Sequence, residues 1–404
     1  MKNIESKVQL LFFGVGLAAG LLASTVSLAA SVGKYGVIEI ASKGVRGYAF
    51  DLDRANSDPK CNLTDEAYLK CLDATAPLID NVNPLEANKF GTPSQVRTFA
   101  AVVASVVNMR SQLVASKAVV PEKIYVVGSS GVAMTGLRQQ QELQDAINAS
   151  LGLPAGHQMD FITAEQEATY AFQGLMAMLP AKYQAEREQE ALVIDFGSGN
   201  TKGSFRDVSA PGAPLRTFSI DYGTKKVTDQ INAARGSTPF VTAAEKFRQT
   251  TLVPEMRRAF DDVPAATSRP RVYIIGGIAW ALSNLSAPQK YNQKFPRVTM
   301  GEIDSLYQLL SGPDALSAVC TNNPAKDPDT DNICRTFSPE NLFGGMQLVK
   351  AYAGETHFES KGKCVFFFRD SLYAWPMGYL KQKVNGNRTI TARVSHKATV
   401  GCEG

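Results

Sequence analysis

The sequence has few of the residues from which structural metal sites are usually built. Its 404 residues include three histidines, His157, His357 and His396, which lie far apart, and six cysteines, none of them in a CxxC pair. Zinc sites need clustered Cys and His ligands, so this scatter argues against a zinc protein. Basic and acidic residues are nearly balanced, 42 against 38. They are also interspersed, which argues against nucleic acid as a partner.

Long apolar runs are also rare. One covers residues 8–22, follows Lys2 and Lys7, and leads into small residues up to Ala30. This pattern predicts a secretory signal peptide, residues 1–29, cleaved after Ala29. An uncleaved membrane anchor is the alternative, because the run approaches the roughly 20 residues that span a bilayer. We expect no later segment to span a membrane, and a secreted or periplasmic location unless the anchor is kept.

All six cysteines follow this segment, an even number that is consistent with disulfide bonds in an oxidising compartment. Sequence alone leaves the pairing open. The local pairing is favoured because two of its bonds would close polar loops: Cys61–Cys71, Cys320–Cys334 and Cys364–Cys402.

The most informative feature is a duplicated hairpin at residues 37–50 and 193–205. The two copies share an acid, a serine, a base and a glycine at one constant offset, in the pairs Glu39/Asp195, Ser42/Ser198, Arg46/Lys202 and Gly47/Gly203. Small residues let backbone N–H groups approach an anion, and the acid can face a cation bound to it. The duplication predicts two facing loops that clamp a phosphate and a metal, although each copy alone would be an ordinary hairpin turn.

Strand and helix patterns alternate through the rest of the chain. Helical spacing covers residues 94–117, 139–151, 223–234, 243–260, 302–310 and 339–352, and buried strands are predicted at 123–128, 160–162 and 272–275. Hairpins combined with this alternation predict an α/β protein with mixed sheets and helices on the sheet faces. The polar stretch 182–190 is the predicted junction between lobe I (30–185) and lobe II (186–404), whose C-terminal tail can pack back on lobe I.

Several separated motifs together resemble the exopolyphosphatase and guanosine pentaphosphate phosphohydrolase family of the actin-like ATPase (ribonuclease H-like) superfold. ASKGVR at 41–46 stands where that family has Gly-Ser-Asn-Ser-x-Arg, TAEQEA at 163–168 where it has Ser-Gly-x-Glu-Glu-Ala, and DFGSGNTK at 195–202 where it has Asp-x-Gly-Gly-Gly-Ser-Thr-Glu. IDYGTKKVT at 220–228 and the glycine pair at 276–277 resemble two further segments. The resemblance implies a two-lobed actin-like fold with a duplicated, hairpin-led lobe.

The resemblance also implies roles for particular residues. Glu167 would orient the attacking water or take its proton, and Asp195 would hold Mg²⁺ or Mn²⁺ through waters, with Glu39 as the weaker second acid on the metal side. The implied phosphate-binding residues are Ser42, Lys43, Gly44, Arg46, Gly128, Ser129, Gly197, Ser198, Gly199, Asn200, Thr201, Gly276 and Gly277. A first-turn glutamate favoured by the helix dipole and a turn-capping aspartate are the alternatives for Glu167 and Asp195.

Several positions depart from the family pattern, among them Ala41, which stands where the family has a glycine. Glu39 stands where the family has aspartate, and Ala133 stands where an arginine is expected, with Arg138 as a nearby substitute. Lys202 replaces the glutamate that ends the second loop. This exchange removes a carboxylate from the metal side and adds a cation near the phosphates.

These implications predict a secreted, metal-dependent phosphohydrolase that releases terminal phosphate from polyphosphate or a related phosphoanhydride by in-line attack of water. Two alternatives stay open: an apyrase-like nucleoside di- and triphosphatase, and a non-catalytic phospholigand-binding or scaffold protein of the same fold. The expected partner is the phosphoanhydride, polyphosphate or nucleotide, and not nucleic acid. A homodimer is expected only as the commonest soluble assembly.

Overall fold

The structure of the protein is a computed structural model. It describes residues 33–41, 44–62, 70–72, 77–80, 93–133, 137–179, 181–286, 293, 295–312, 320, 328–358, 363–385 and 402. The predicted signal peptide and its cleavage site lie outside these residues.

The first repeat forms a five-stranded mixed sheet in the order β3-β2-β1-β4-β5. Its strands are β1 (Lys34–Ala41), β2 (Gly44–Asp51), β3 (Leu78–Asp80), β4 (Ile124–Gly128) and β5 (Asp160–Phe161). Strand β2 is antiparallel to β1 and β3, whereas β4 is parallel to β1 and β5.

The second repeat forms a sheet of the same design, in the order β10-β9-β6-β7-β8. Its strands are β6 (Ala191–Phe196), β7 (Thr201–Arg206), β8 (Leu215–Ile220), β9 (Arg271–Ile275) and β10 (Cys364–Phe367). The strand directions repeat as well, and the ladder places Asp195 opposite Lys202 as it places Glu39 opposite Arg46. The predicted α/β fold with a duplicated hairpin-led lobe is therefore confirmed.

Helices connect the strands and cover the sheets. Those of the first half are α1 (Leu52–Ser57), α2 (Pro93–Lys117), α3 (Ser130–Ala133), α4 (Leu137–Leu151), α5 (Ala164–Ala177) and α6 (Ala181–Glu190). Those of the second half are α7 (Thr224–Ala234), α8 (Phe240–Phe247), α9 (Val253–Asp261), α10 (Gly277–Ser286), α11 (Met300–Ser311), α12 (Pro328–Thr336), α13 (Pro339–Glu355) and α14 (Ala374–Asn385). The polar stretch predicted as the lobe junction is helix α6.

The core has three parts because side chains alternate between the two faces of each strand. Ile38 and Val126 pack outward with α2 and α4, and Leu192 and Ile194 pack outward with the helices of the second half. Between the sheets, inward residues of both, such as Val37 and Val193, pack around α5 and α14. Helix α14 belongs to the C-terminal part of the chain, so its packing on α5 ties the two halves together.

Two glycines allow α5 and α14 to lie unusually close. A Cβ at Gly174 would fall 1.7 Å from the carbonyl oxygen of Ala374, and one at Gly378 would fall 2.0 Å from that of Tyr170. No rotamer change relieves these contacts, because the opposing atoms belong to backbone. The helices would have to move apart to accept any larger residue.

We expect Gly174→Ala to lower the free energy of unfolding by about 3 kcal/mol, since overpacking a well-packed core costs about this much. Gly354→Ala is the matched control, because a Cβ at this exposed position in α13 meets nothing within 4 Å. The control should stabilise slightly, by about 0.5 kcal/mol, through reduced backbone entropy of the unfolded chain. Urea unfolding of both variants measures the difference, and equal midpoints would contradict the close approach.

We expected no segment after the predicted signal peptide to span a membrane, but one later helix is long and apolar enough to do so. By length and composition, residues Phe99–Lys117 of α2 could cross a bilayer. This is weak evidence for a span, because Val102, Val106 and Met109 of the same helix are buried against the first sheet. A core helix of a soluble protein passes the same test, since an apolar face is what it packs with.

The cysteine pairing is the local one. Disulfide bonds join Cys61 to Cys71, Cys320 to Cys334 and Cys364 to Cys402, as the sequence favoured. The third bond attaches the C-terminal end of the chain to the first residue of β10. The described cysteines therefore hold no free thiol.

Candidate active site in the cleft between the repeats

A cavity of about 740 Å³ lies where the two duplicated hairpins meet. The first repeat contributes Glu39, Ala41 and Arg46 to its wall, and the second contributes Asp195 and residues 197–200. Described residues of both duplicated hairpins therefore line one crevice, as a clamp for one anion requires.

Helix α5 brings Glu167 into this crevice. Thr163 caps the helix and forms the predicted capping box with Gln166, which fixes where the first turn begins. Glu167 then faces inward and is only 4% exposed. Its Oε2 accepts a hydrogen bond of 2.8 Å from the backbone N–H of Ser130, while Oε1 lies 2.9 Å from Nζ of Lys202.

Lys202 is the centre of a buried ion cluster. Its Nζ lies 2.9 Å from Glu167 Oε1, 3.0 Å from Asp195 Oδ2 and 3.1 Å from Asn200 Oδ1. The residue is 2% exposed, and a charge buried to this extent must be paired. An ammonium has three N–H donors, so the three oxygens satisfy all of them.

The pKa directions follow from this burial and pairing. Burial raises the pKa of the Asp195 carboxyl, against the opposing effect of Lys202. Burial by itself would lower the pKa of Lys202, but the carboxylates of Asp195 and Glu167 outweigh it and raise that pKa above its usual value. Lys202 is therefore a permanent cation at neutral pH.

The first repeat holds a second ion pair at the equivalent place. Glu39 is 3% exposed, accepts a hydrogen bond of 2.7 Å from the Tyr48 hydroxyl, and lies 3.5 Å from Nη1 of Arg46. Burial raises the pKa of Glu39, and Arg46 and the Tyr48 hydroxyl oppose this shift. Each repeat thus places an acid on its first strand beside a cation on its second.

A closed ring of hydrogen bonds joins the two repeats. Asn200 donates from Nδ2 to the Ser130 hydroxyl, 3.0 Å away, and Ser130 in turn donates its backbone N–H to Glu167. Glu167 pairs with the Lys202 ammonium, and this ammonium donates a hydrogen bond to Asn200 Oδ1, which closes the ring. Because Ser130 and Glu167 belong to the first repeat and the other two residues to the second, this ring fixes the orientation of the Glu167 carboxylate across the cleft.

The second loop presents its backbone to the cavity. The carbonyl oxygens of Gly197 and Ser198 accept hydrogen bonds from backbone N–H groups at the start of α7. In a trans peptide the carbonyl and the next N–H point in opposite directions. The N–H groups of Ser198 and Gly199 therefore point away from α7, and residues 197–200 line the cavity. This is how backbone amides form a site for an anion.

Gly276 is a glycine for a local reason. Its φ is +98°, and a Cβ there would lie 2.6 Å from both Asp195 Oδ1 and the carbonyl oxygen of Phe196. Any other residue would be strained and would push the Asp195 carboxylate out of place. The position therefore supports the acid rather than only ending strand β9.

The structure brings together most of the predicted site residues. Those that line the cavity are Glu39, Arg46, Ser129, Glu167, Asp195, Gly197, Ser198, Gly199, Asn200, Gly276 and Gly277. Ser42 and Lys43 lie outside the described residues.

Three predicted phosphate-binding residues do not line the cavity. Gly128 packs against Phe161, whose ring would lie 2.5 Å from a Cβ at that position. Thr201 is fully buried and donates its hydroxyl to the carbonyl oxygen of Tyr222. Gly44 begins β2 and is also absent from the wall. Arg138 cannot replace the missing arginine of the family pattern, because its side chain is exposed and paired with Glu142.

Sequence reasoning missed part of the cavity wall. It consists of arginine and aromatic residues from three separate segments, namely Trp280, Arg335, Phe337, Arg369, Tyr373 and Trp375. Their spacing in the chain carries no common pattern, so only the fold could reveal the wall. Tyr373 and Trp375 are both largely buried, yet they touch the cavity.

The fold is that of the Ppx/GppA phosphatases. The chain resembles the Ppx/GppA family member of Aquifex aeolicus with a TM-score of 0.60 and 15% identity over 88% of this chain and 99% of that chain. It resembles an exopolyphosphatase from Cytophaga hutchinsonii with a TM-score of 0.57 and 13% identity over 87% and 98%. No protein-family model and no curated protein sequence matches the chain.

The expected Mg²⁺ or Mn²⁺ can be tested against the donor atoms. Asp195 Oδ2, Glu167 Oε1 and Asn200 Oδ1 all contact the Lys202 ammonium, and Glu39 Oε2 is engaged by Tyr48 and Arg46. Among the His, Cys, Asp and Glu side chains of the described residues, only Asp58, Cys61 and Cys71 bring three ligating atoms within 4.8 Å of one another, and these two cysteines form a disulfide. The residues present therefore do not fit a metal held directly by Asp195 and Glu39.

Proposed function

We propose that the protein is a phosphohydrolase that releases terminal phosphate from polyphosphate or a related phosphoanhydride. The observation that carries the proposal is the position of Glu167. Its carboxylate lies in a crevice lined by both duplicated hairpins and is held there by the Ser130 N–H and Lys202. The structural similarity to the Ppx/GppA phosphatases supports the same reading.

In the proposed reaction, water attacks the terminal phosphorus in line with the bond to the leaving phosphate. Glu167 accepts the proton of the water, the new P–O bond forms, and the bridging P–O bond breaks with its electrons leaving on the bridging oxygen. The N–H groups of Ser198 and Gly199 and the guanidinium of Arg46 would stabilise charge on the transferred group.

The aromatic wall favours a second candidate, a nucleoside di- and triphosphatase of the apyrase kind. Trp280 is only partly buried and lines the same cavity as the second loop. Flat aromatic surfaces suit the stacking of a nucleotide base, whereas bare polyphosphate gains nothing from them.

The ion cluster around Lys202 favours a third candidate, a phospholigand-binding protein without catalysis, because both carboxylate oxygens of Glu167 already have partners.

A substrate panel separates these candidates. We expect the purified full chain to release phosphate from long-chain polyphosphate faster than from ATP or ADP. Faster release from the nucleotides would select the apyrase-like function. Calorimetric binding of polyphosphate or ATP with no phosphate release under any ionic condition would select the non-catalytic function and reject the hydrolase.

We also propose that the protein acts outside the cytoplasm. The three disulfide bonds support this location, because such bonds persist in oxidising compartments. The predicted signal peptide would deliver it there, with a membrane anchor as the alternative if cleavage does not occur.

A further inference from the structure

Lys202 occupies the point at which the oxygen ligands of the cleft converge. Asp195, Glu167 and Asn200 each turn one oxygen toward its Nζ, at 2.9 to 3.1 Å. Carboxylate and amide oxygens are the ligands that Mg²⁺ and Mn²⁺ prefer in proteins. Here an ammonium on the chain itself sits among them.

The place of Lys202 beside an acid is a feature that both repeats share. Lys202 faces Asp195 in the β6–β7 ladder, as Arg46 faces Glu39 in the β1–β2 ladder. The lysine also reaches Glu167 on α5, so it neutralises one acid from each half of the chain. Moving the ammonium away would leave two buried carboxylates without a counter-charge, which is unfavourable.

Lys202 also balances the charge of the whole crevice. Among the described residues, the wall has four acids, Glu39, Glu167, Asp195 and Asp370, and four bases, Arg46, Lys202, Arg335 and Arg369. Without Lys202 the wall would carry a net negative charge and would repel an anionic ligand unless a cation entered with it.

We propose that the Lys202 ammonium takes the place and the charge role of a divalent metal, so that the cleft binds phosphate anions without Mg²⁺ or Mn²⁺. The part that concerns phosphate rests on the proposed function. The part that concerns metal rests only on the contacts of Lys202, and can be tested on a protein of any activity.

The first experiment is titration of the full chain with Mn²⁺, followed by electron paramagnetic resonance of the free ion. We expect the wild type to bind no Mn²⁺ in the cleft. Lys202→Glu should bind one Mn²⁺ per chain, because it replaces the ammonium by a third carboxylate. Lys246→Glu, the same charge change at an exposed position in α8, should bind none.

A wild type that binds one Mn²⁺, and loses it on Asp195→Asn, would overturn the proposal. So would a folded Lys202→Glu variant that gains no site. Circular dichroism checks that this variant folds. If it does not, the wild-type titration decides, with Asp195→Asn as the control that locates any bound ion.

The second experiment uses inorganic phosphate as the probe, in calorimetric titrations with EDTA or with Mg²⁺. We expect the same affinity for the wild type in both conditions, and in EDTA a loss of at least about tenfold for Lys202→Glu. Wild-type binding that requires Mg²⁺ would overturn the proposal. A protein that fits both expectations yet hydrolyses nothing would reject the proposed function while leaving this inference intact.

Discussion

Replacing Glu167 by glutamine is expected to lower the rate of phosphate release by about 10²–10⁴-fold, the usual contribution of a general base. Glutamine keeps the size of the side chain and one acceptor oxygen but cannot take a proton from water. The ring through Ser130, Lys202 and Asn200 retains most of its contacts, so the fold should persist. Steady-state release of phosphate, measured at saturating substrate, checks the change in turnover.

Glu165 offers a matched control for this experiment. It lies in the same first turn of α5, but it is exposed and does not line the cavity. Glu165→Gln removes the same charge near the same helix end, and it should leave turnover unchanged because Glu165 does not line the cavity. Equal losses in both variants would mean that helix charge matters rather than proton transfer, and unchanged release in Glu167→Gln would remove Glu167 from the mechanism.

Replacing Lys202 by methionine should lower the free energy of unfolding by about 3–5 kcal/mol. Breaking a buried ion pair from one side leaves an uncompensated charge, and here two carboxylates lose their partner at once. Methionine fills similar space, so lost packing contributes little. Urea unfolding at neutral pH measures the difference. Lys246→Met, at an exposed position, should change stability by less than about 0.5 kcal/mol.

The pH dependence of that difference tests the charge state of Lys202. Although burial opposes them, the carboxylates of Asp195 and Glu167 raise its folded-state pKa above the usual 10.5. The stabilisation from its ion pairs is therefore fully present below pH 10.5 and is lost as the pH rises through the folded pKa. The wild-type advantage over Lys202→Met should persist at about pH 9. An advantage that vanishes between neutral pH and pH 9 would mean that the buried amine is neutral.

The architecture was largely predictable because its signals are local. Strand β6 is apolar along its length, and the capping box at Thr163 and Gln166 places the start of α5. The edge strands β3 and β8 were missed, since β3 has three residues and β8 is only partly buried. Short, half-exposed strands are defined by their pairing with a neighbour, which leaves little trace in their own sequence.

The candidate site was predictable only in part. The constant offset between the repeats identified Glu39, Asp195 and their loops as parts of one clamp. It also marked Lys202 as a departure from the family pattern. The offset could not show that this lysine would pair with Glu167. Helix α5, which carries Glu167, lies outside both hairpins and reaches the lysine only when the two halves pack together.

The chain alone thus determined the duplicated hairpins and the helix cap at Thr163, because each depends on residues close in sequence or repeated in register. It favoured the observed pairing of cysteines without fixing it. Tertiary structure alone decided which oxygens surround the Lys202 ammonium, which predicted glycines touch the cavity, and how an aromatic wall forms from distant segments. The physical reason is that charge compensation in a buried site acts through space. Asp195 and Asn200 belong to the same hairpin as Lys202, but Glu167 comes from α5, and nothing in the sequence spacing relates it to the lysine.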